Sequence, residues 1–418
     1  MKAPAETPLH FRSLDVLRGL ASLAVVVFHY AGFLSLGDVT ASAAQRSQLP
    51  FNGYLFPFYE QGWQAVTIFF SLSGFIFFWL YGTSVAERKI SASEFFLLRF
   101  SRLYPLHFAT LLLVAALQWL YARAHPDIPY FVCSVNDLEH FALQLFLASN
   151  WLPSSGFSFN FPVWSVSIEV LLYAVFFIFC RLQRPRPWTM GVLVLAGWWL
   201  IFRVHVDLGT GLGSFFAGGL VYMAYRRLAV ISLQMPWLIA LVSLTVLIWI
   251  VGVHGVANSW SFLPDSWSKR ARYFPMALMF PSLILCLAML EQKFRFPRGV
   301  AWLGDISYST YLLHFPLQIA FVLVVDAAGL SRNVFYSPGV FIIYFATLIL
   351  LGLASFHWLE RPMQRRLRSL GRALRRPGVE GAMGPDRGDP SPAELPDPIR
   401  GGAAGSAGAP TSKTMSPP

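Results

Sequence analysis

Charged side chains are scarce in this chain. Only 13% of its 418 residues are Asp, Glu, Lys or Arg, whereas 56% are hydrophobic and 16% are aromatic. A soluble protein of this length needs more polar side chains to cover its surface. Together with a mean hydropathy of +0.54, this shortage predicts an all-α polytopic membrane protein.

Cysteine is also rare. The chain has three cysteines, Cys133, Cys180 and Cys286, and no two of them have the spacing of a metal-binding or redox pair. Neither a disulfide framework nor a thiolate metal site is therefore indicated. The net charge of +11 does not indicate a nucleic-acid partner, because Lys and Arg fall in short connectors between apolar runs.

Long apolar runs, in contrast, are abundant. Ten of them have the length and composition of transmembrane helices. They are residues 13–34, 63–82, 104–122, 163–181, 188–205, 209–226, 235–254, 273–291, 303–326 and 338–358. Basic residues concentrate in alternate connectors, and by the positive-inside rule this pattern places both termini in the cytoplasm.

The same pattern divides the chain into three regions. We predict a cytoplasmic N-terminus at 1–12, a ten-helix domain at 13–362 and a cytoplasmic tail at 363–418. The tail is basic at first and then rich in Pro, Gly and Ala, so that its last part has too little apolar surface to fold.

Arg18 and His29 are the most informative residues of the first apolar run. They lie eleven residues apart, which on an α-helix places both on one face with a separation of roughly 16 Å along the axis. Both are costly to bury in hydrocarbon. Such a face suits an acyl-CoA with its phosphates near Arg18 and its thioester near His29. The alternative is an arginine that reaches the headgroups and a histidine that only bonds across the bundle.

A second basic feature precedes the third apolar run. Arg99 and Arg102 occupy positions i and i+3 of one helix face, just before Pro105. Two guanidinium groups at this spacing suit bidentate contact with phosphate or carboxylate. The alternative is ordinary anchoring at the cytoplasmic interface.

A polar stripe opens the fourth apolar run. Ser165, Glu169 and Tyr173 are spaced four residues apart, and therefore share one face of the helix. Counted from the helix ends, Glu169 and His29 lie at similar depth. We predict that the Glu169 carboxylate bonds one nitrogen of His29, which orients the ring and raises the basicity of the other nitrogen. The alternative is a protonated Glu169 that is satisfied by its Ser and Tyr neighbours.

The ninth apolar run carries another polar stripe. Ser307, Tyr311 and His314 follow i, i+4, i+7 spacing, so one face again gathers hydroxyl groups and an imidazole. His314 is a rival to His29 for the role of base. The alternative for His314 is a hydrogen bond that only supports helix packing.

Six short segments, taken in order, resemble the membrane-bound acyltransferase 3 family over about residues 11 to 362. The segments are Leu14-Asp-Val-Leu-Arg18-Gly-Leu-Ala with His29, Phe69-Phe-Ser-Leu-Ser-Gly-Phe75, Arg99-Phe-Ser-Arg102-Leu-Tyr-Pro105, Trp164-Ser-Val-Ser-Ile-Glu169, Ile306-Ser-Tyr-Ser-Thr-Tyr311-Leu-Leu-His314 and Glu360-Arg-Pro362. The chain departs from the family at Thr67, where many members have an Asp, and this makes Glu169 the stronger acidic candidate.

The resemblance implies an acyltransferase 3-like bundle of ten helices. Such an enzyme moves an acyl group, often acetyl or succinyl, from a cytoplasmic acyl-CoA to a hydroxyl of a surface polysaccharide or glycolipid, and sometimes of a macrolide. By the same resemblance, His29 would be the essential catalytic residue, and Arg18, Arg99 and Arg102 would handle the donor.

We therefore expect an integral O-acyltransferase of the bacterial inner membrane. The expected partners are acyl-CoA, a sugar, glycan or glycolipid acceptor and the lipid bilayer, with no permanently bound cofactor and no metal. His29 would either deprotonate the acceptor or first accept the acyl group itself. The competing class is a multipass transporter or glycolipid flippase, in which the buried Arg, His and Glu would form a substrate or proton pathway.

Overall fold

The computed structural model describes residues 10–373, apart from 36, 38, 153–155, 232–234, 258–272, 274 and 295. The elements of secondary structure in the described residues are helices. The first half of the chain forms α1 Arg12–Tyr30, α2 Ala43–Arg46, α3 Asn52–Gln61, α4 Ala65–Leu80, α5 Gly82–Ala86, α6 Ala92–Ala124, α7 Leu138–Leu145 and α8 Val163–Leu182.

The second half continues with α9 Pro187–Arg203, α10 Val206–Ile231, α11 Met235–Ala257, α12 Met276–Glu291, α13 Trp302–Asp305, α14 Ser307–Ala327, α15 Pro338–Ser355 and α16 Arg361–Ala373. A single π-helical turn, Phe356–Glu360, joins α15 to α16. Short 3-10 turns occupy Ala31–Leu34, Gly62–Gln64, Arg298–Val300 and Arg332–Tyr336.

Each of the ten apolar runs coincides with a long helix. Seven helical segments are long and apolar enough to cross a membrane, and α9 and α12 are apolar but shorter. The remaining run corresponds to α10, which has 26 residues. The prediction of an all-α polytopic membrane protein is confirmed. The cytoplasmic placement of both termini stays a prediction.

The helix that carries Arg18 and His29 is anchored at its first turn by a distant carboxylate. Glu291, the last residue of α12, accepts hydrogen bonds from the backbone N–H groups of Arg12 and Ser13 at 2.8 and 2.9 Å. The Ser13 hydroxyl donates to the same carboxylate at 2.5 Å. Free N–H groups and the helix dipole both favour a negative charge here, so Glu291 fixes where α1 begins.

Helices α1 and α14 run side by side in the same direction, and hydroxyl groups join them. The Ser22 hydroxyl lies 2.6 Å from the Thr310 hydroxyl and donates to the Ser307 carbonyl at 3.0 Å. Hydrogen bonds of this kind contribute to helix association in lipid. Apolar contact alone gives little preference for a neighbouring helix over a lipid tail, because both are apolar. The pairing brings the two polar stripes of α1 and α14 face to face.

Helices α4 and α10 approach closely because glycine stands at their contacts. A Cβ atom on Gly74 would lie 1.8 Å from the Phe215 carbonyl oxygen, and one on Gly218 would lie 1.9 Å from the Ser71 carbonyl oxygen. No side chain fits at these distances. The small residues of the Phe-Phe-Ser-Leu-Ser-Gly segment therefore serve helix packing.

We expect Gly218→Ala to destabilise the bundle. Its new methyl group must push two helix backbones apart, and overpacking of this kind costs about 1–3 kcal/mol. Thermal unfolding of the detergent-solubilised protein measures the effect, with Gly191→Ala as the matched control, because nothing lies within 4 Å of a Cβ at that helical position. Equal melting temperatures for the two variants would contradict this account of the α4–α10 contact.

The predicted boundary at 362 falls inside a helical segment. The segment Pro338–Gly371 is 34 residues long and runs through α15, the π-helical turn and most of α16. The basic part of the predicted tail thus begins as an ordered helix. Predictions for residues 1–9 and 374–418 lie outside the described residues.

Candidate functional site

The histidines of α1 and α14 meet as a pair. His29 Nδ1 lies 3.0 Å from His314 Nε2, and the two rings are within 8° of parallel. His314 is fully buried, whereas His29 is partly exposed. Of these two imidazoles, His29 is the one that a substrate can reach. We call His29 and His314 the histidine pair.

A backbone contact defines the protonation pattern of this pair. His314 Nδ1 lies 2.6 Å from the Tyr311 carbonyl oxygen, which only accepts hydrogen bonds, so Nδ1 carries the proton. In a neutral His314 the other nitrogen, Nε2, then accepts, and His29 Nδ1 donates to it. The lone pair of a neutral His29 is consequently placed on Nε2, as a general base requires.

Surrounding contacts hold both imidazole-bearing backbones in place. The Gln318 side-chain amide donates to the His29 carbonyl at 2.8 Å, and the Tyr344 hydroxyl donates to the His314 carbonyl at 2.9 Å. The Phe161 ring packs against His29 edge-on, with the ring centroids 5.4 Å apart. Two hydrogen bonds to the backbone and one aromatic ring contact therefore restrict the positions of the histidine pair.

Arg18 is held by α13 and the start of α14. Its Nε and Nη2 atoms donate to the Gly304 carbonyl at 3.2 and 2.8 Å, and Nε also donates to the Ser307 hydroxyl at 3.1 Å. Asp15 forms an ion pair with Nη2 at 3.1 Å. Arg18 is thus part of the framework of the site, and the alternative of a free snorkelling arginine does not describe these contacts.

Arg99 and Arg102 differ in how they are held. The Arg99 guanidinium lies over the rings of Phe77 and Tyr81, at 5.1 and 4.9 Å from their centroids, and donates to the Tyr81 hydroxyl at 2.5 Å. Among the described residues, the Arg102 guanidinium has no hydrogen-bond or ion-pair partner. The charges of Arg18 and Arg99, and that of the Glu360 carboxylate, act on it electrostatically. We call Arg18, Arg99 and Arg102 the arginine cluster.

Glu169 is not paired with His29, and the predicted contact between them is wrong. Its carboxylate accepts hydrogen bonds from the Ser73 hydroxyl at 2.6 Å and from the Tyr173 hydroxyl at 2.7 Å. The partner of His29 Nδ1 is instead His314 Nε2. The alternative of a Glu169 satisfied by Ser and Tyr neighbours describes the observed hydrogen bonds.

The physical reason lies in the depth of α8. Ser165, one turn before Glu169, shares a hydrogen bond of 2.7 Å with the Tyr311 hydroxyl, and Tyr311 is itself almost one turn from His314. Glu169 therefore lies more than one turn away from the histidine pair, and a helical turn is about 5.4 Å. Counting residues from the ends of two helices does not resolve a shift of this size.

The stripe of α14 lines the interval between the arginine cluster and the histidine pair. Ser307 bonds Arg18, Tyr311 bonds Ser165, and His314 bonds His29. Seven residues separate the ends of this stripe, or about 10 Å along the helix. The predicted face is thus present: Ser307 and His314 contact α1, and Tyr311 contacts α8.

Two residues near the site were not singled out from the sequence. The Glu360 carboxylate accepts hydrogen bonds from the hydroxyls of Ser309 and Ser355, and it contributes to the electrostatic field at Arg102. Ser73 is the unexpected partner of Glu169. Both residues had a signal in the sequence, because Glu360 lies in the Glu-Arg-Pro segment and Ser73 lies in the Phe69–Phe75 segment. Thr67 lies elsewhere, with its hydroxyl 3.8 Å from the Met276 sulfur.

A multipass bundle that exposes an imidazole on α1, and that carries guanidinium groups on α1 and α6, has the parts of a membrane-embedded transferase. A family model described as an acyltransferase domain matches residues 11–356, and the chain belongs to this acyltransferase 3 family. It is therefore an acyltransferase, and the resemblance of the six segments is confirmed.

Three curated relatives match parts of the chain. Exopolysaccharide production protein ExoZ of Rhizobium meliloti (strain 1021) is 29% identical over 333 residues, which are 75% of this chain and 92% of that protein. Acyltransferase MdmB of Streptomyces mycarofaciens is 32% identical over 177 residues, but the match spans only 42% of this chain and 40% of that protein. Protein 2 in the picA locus of Rhizobium radiobacter is 30% identical over 45% of this chain and 91% of its own length. No solved structure matches the chain significantly.

Proposed function

We propose that the protein is an integral O-acyltransferase of the bacterial inner membrane. It would move an acetyl or succinyl group from acyl-CoA to a hydroxyl of a sugar, glycan or glycolipid in the synthesis of cell-surface polysaccharide. The observation that carries the proposal is the histidine pair, in which His314 orients His29 so that its Nε2 lone pair is available. The choice of acceptor is supported by the relative that matches 75% of the chain, because its name refers to exopolysaccharide production.

In the proposed reaction His29 acts first as base and then as acid. The acceptor hydroxyl gives its proton to His29 Nε2 while its oxygen forms a bond with the thioester carbonyl carbon. The intermediate collapses by cleavage of the C–S bond, and Nε2 returns the proton to the departing thiolate. A second route, in which Nε2 first accepts the acyl group, uses the same nitrogen and the same orientation by His314.

The arginine cluster is the proposed site for the phosphates of the donor. Arg102 carries this role most directly, because its guanidinium has no hydrogen-bond or ion-pair partner in the described part of the chain, and the positive charges of Arg18 and Arg99 act on it. Glu169 acts through Ser73 and Tyr173, and we assign it a positioning role in the wall of the site. The transporter or flippase would use the same buried charges, but membership of the acyltransferase family favours the enzyme.

The test is acyl transfer in membranes from the source bacterium. Membranes of a strain that lacks the gene, complemented with the wild type or an empty vector, receive acetyl-CoA or succinyl-CoA labelled in the acyl group. We expect label that alkali releases, as an ester should, in a lipid or glycan fraction of the complemented membranes, with equimolar release of CoA. Equal labelling with and without the protein, for both donors, would contradict the proposal.

Substitution of Arg102 tests the donor site. We expect Arg102→Ala to raise the KM for acyl-CoA about 10- to 100-fold, because charge-assisted hydrogen bonds to phosphate are lost. The kcat should change little, since ground state and transition state share these contacts. The control is Arg123→Ala at the opposite end of α6, where the guanidinium stacks on the Trp119 ring at 4.3 Å. A lower kcat with unchanged KM would contradict this role.

A further inference from the structure

Helix α16 carries a stripe of arginines beyond the part of the chain that the family model covers. Arg361, Arg365 and Arg368 follow i, i+4, i+7 spacing, so their side chains leave one face of the helix. The family model ends at residue 356. We call these three residues the arginine stripe.

The beginning of the stripe is joined to the arginine cluster through two consecutive residues of α13. Arg18 donates to the Gly304 carbonyl, and Arg361 lies 3.9 Å from the Asp305 carboxylate. Arg361 also stacks over the Phe356 ring at 4.4 Å. Its Nε atom is nevertheless buried without a hydrogen-bond partner. A buried guanidinium N–H that lacks an acceptor is costly, and an anion at this position would supply one.

The far end of the stripe lies against the helix that carries Arg99 and Arg102. Arg368 Nε donates to the Ser101 hydroxyl at 3.4 Å, and a Cβ on Gly371 would lie 2.0 Å from the Leu97 side chain. Helix α16 thus packs along the first turns of α6. Arg361 and Arg368 are about 10 Å apart along the axis, so the stripe extends the positive charge of the arginine cluster outward.

The apolar residues of α16 occupy a different side. Met363, Leu367 and Leu370 are centred about 160° from the stripe around the helix, and Leu370 is 58% exposed. If α16 only attached to lipid headgroups, its arginines would flank this apolar face. Arg361 and Arg368 instead lie on the side that contacts α13 and α6.

We propose that the arginine stripe binds the 3′-phosphate of CoA, while the arginine cluster binds the pyrophosphate. This inference rests on the proposed function, because it names further residues for the same donor. CoA carries phosphate groups on both sides of its ribose, and each needs cationic partners. The cluster and the stripe offer two sets of guanidinium groups that adjoin through α13 and α6.

The test compares CoA with 3′-dephospho-CoA, so that no acceptor is needed. The full-length protein is placed in nanodiscs of zwitterionic lipid, and the affinity for each compound is measured by calorimetry. We expect the double variant Arg365→Gln, Arg368→Gln to bind CoA about tenfold more weakly than the wild type, with no change for 3′-dephospho-CoA. Arg366→Gln is the matched control, because this exposed neighbour points about 100° away from Arg365.

Three results would overturn the inference in distinguishable ways. An equal loss of affinity for both compounds would mean that the stripe does not read the 3′-phosphate. Unchanged affinity for CoA, with weaker binding of the variant to vesicles that contain anionic lipid, would assign the stripe to headgroups. No binding of either compound to the wild type would refute the proposed donor itself. Arg365→Gln alone, at an exposed position, repeats the comparison if the double variant does not fold.

Discussion

His29→Ala is expected to lower acyl transfer at least about 1,000-fold, the upper part of the range for loss of a general base or acid. The same imidazole takes the proton from the acceptor and gives it to the leaving thiolate, so its loss affects both halves of the reaction. Initial rates with labelled acyl-CoA in nanodiscs measure the effect. The protein should still elute as a single species, because the side chain is partly exposed and its hydrogen-bond partner is His314.

The matched control for this variant is His357→Ala. His357 is an exposed imidazole whose Nδ1 contacts only the Leu353 carbonyl of its own helix, at 2.9 Å. Its loss should leave the rate within twofold of the wild type, which is about 0.4 kcal/mol. A well-folded His29→Ala protein with full activity would refute the catalytic role.

His314→Ala is expected to lower kcat about 100-fold without a large change in the KM for acyl-CoA. His314 touches neither substrate in the proposed reaction, and acts by accepting a hydrogen bond from the Nδ1–H group of His29. Without this acceptor, the His29 ring can turn, and the tautomer that places the lone pair on Nε2 loses its preference.

His314→Gln separates this positioning role from a purely structural one. The amide oxygen of glutamine can replace Nε2 as the acceptor for His29, whereas alanine cannot. We therefore expect His314→Gln to recover about tenfold of the lost rate. Equal rates for the Ala and Gln variants, at equal melting temperatures, would contradict the role of His314 as acceptor.

The sequence was sufficient for the membrane-spanning helices and for the polar faces. Runs of apolar residues must bury in lipid and satisfy their backbone internally, so hydropathy locates helices directly. The same periodicity placed Arg18 and His29 on one face of α1, and Ser307, Tyr311 and His314 on one face of α14. The structure brings these two faces together.

The partner of His29 could not be predicted in the same way. Glu169 and His314 were both plausible by residue type, and the choice depends on how far each helix is shifted along its neighbour. Such shifts are set by specific contacts, including the cap of Glu291 on α1 and the Ser165–Tyr311 hydrogen bond. The pattern of hydrophobic residues does not reveal whether one helix is shifted by a turn along its neighbour.

Helix α16 shows a different limit of sequence reasoning. The positive-inside rule accounts for the number of arginines after residue 360, but it does not predict the direction in which their side chains point. Their i, i+4, i+7 spacing gains meaning only once α13 and α6 are seen to contact that helix. In this chain, the number of arginines in a segment therefore does not predict which helices their side chains contact.

In the proposed reaction, one donor molecule spans the interval from the arginine cluster to the histidine pair. A cryo-EM structure of the protein with a thioether analogue of acetyl-CoA, which cannot transfer its acyl group, would show where the donor lies. We expect the pyrophosphate on Arg102 and the acyl carbon within about 4 Å of His29 Nε2. An analogue bound with its acyl carbon away from His29, or with its phosphates away from Arg102, would refute this placement of the donor.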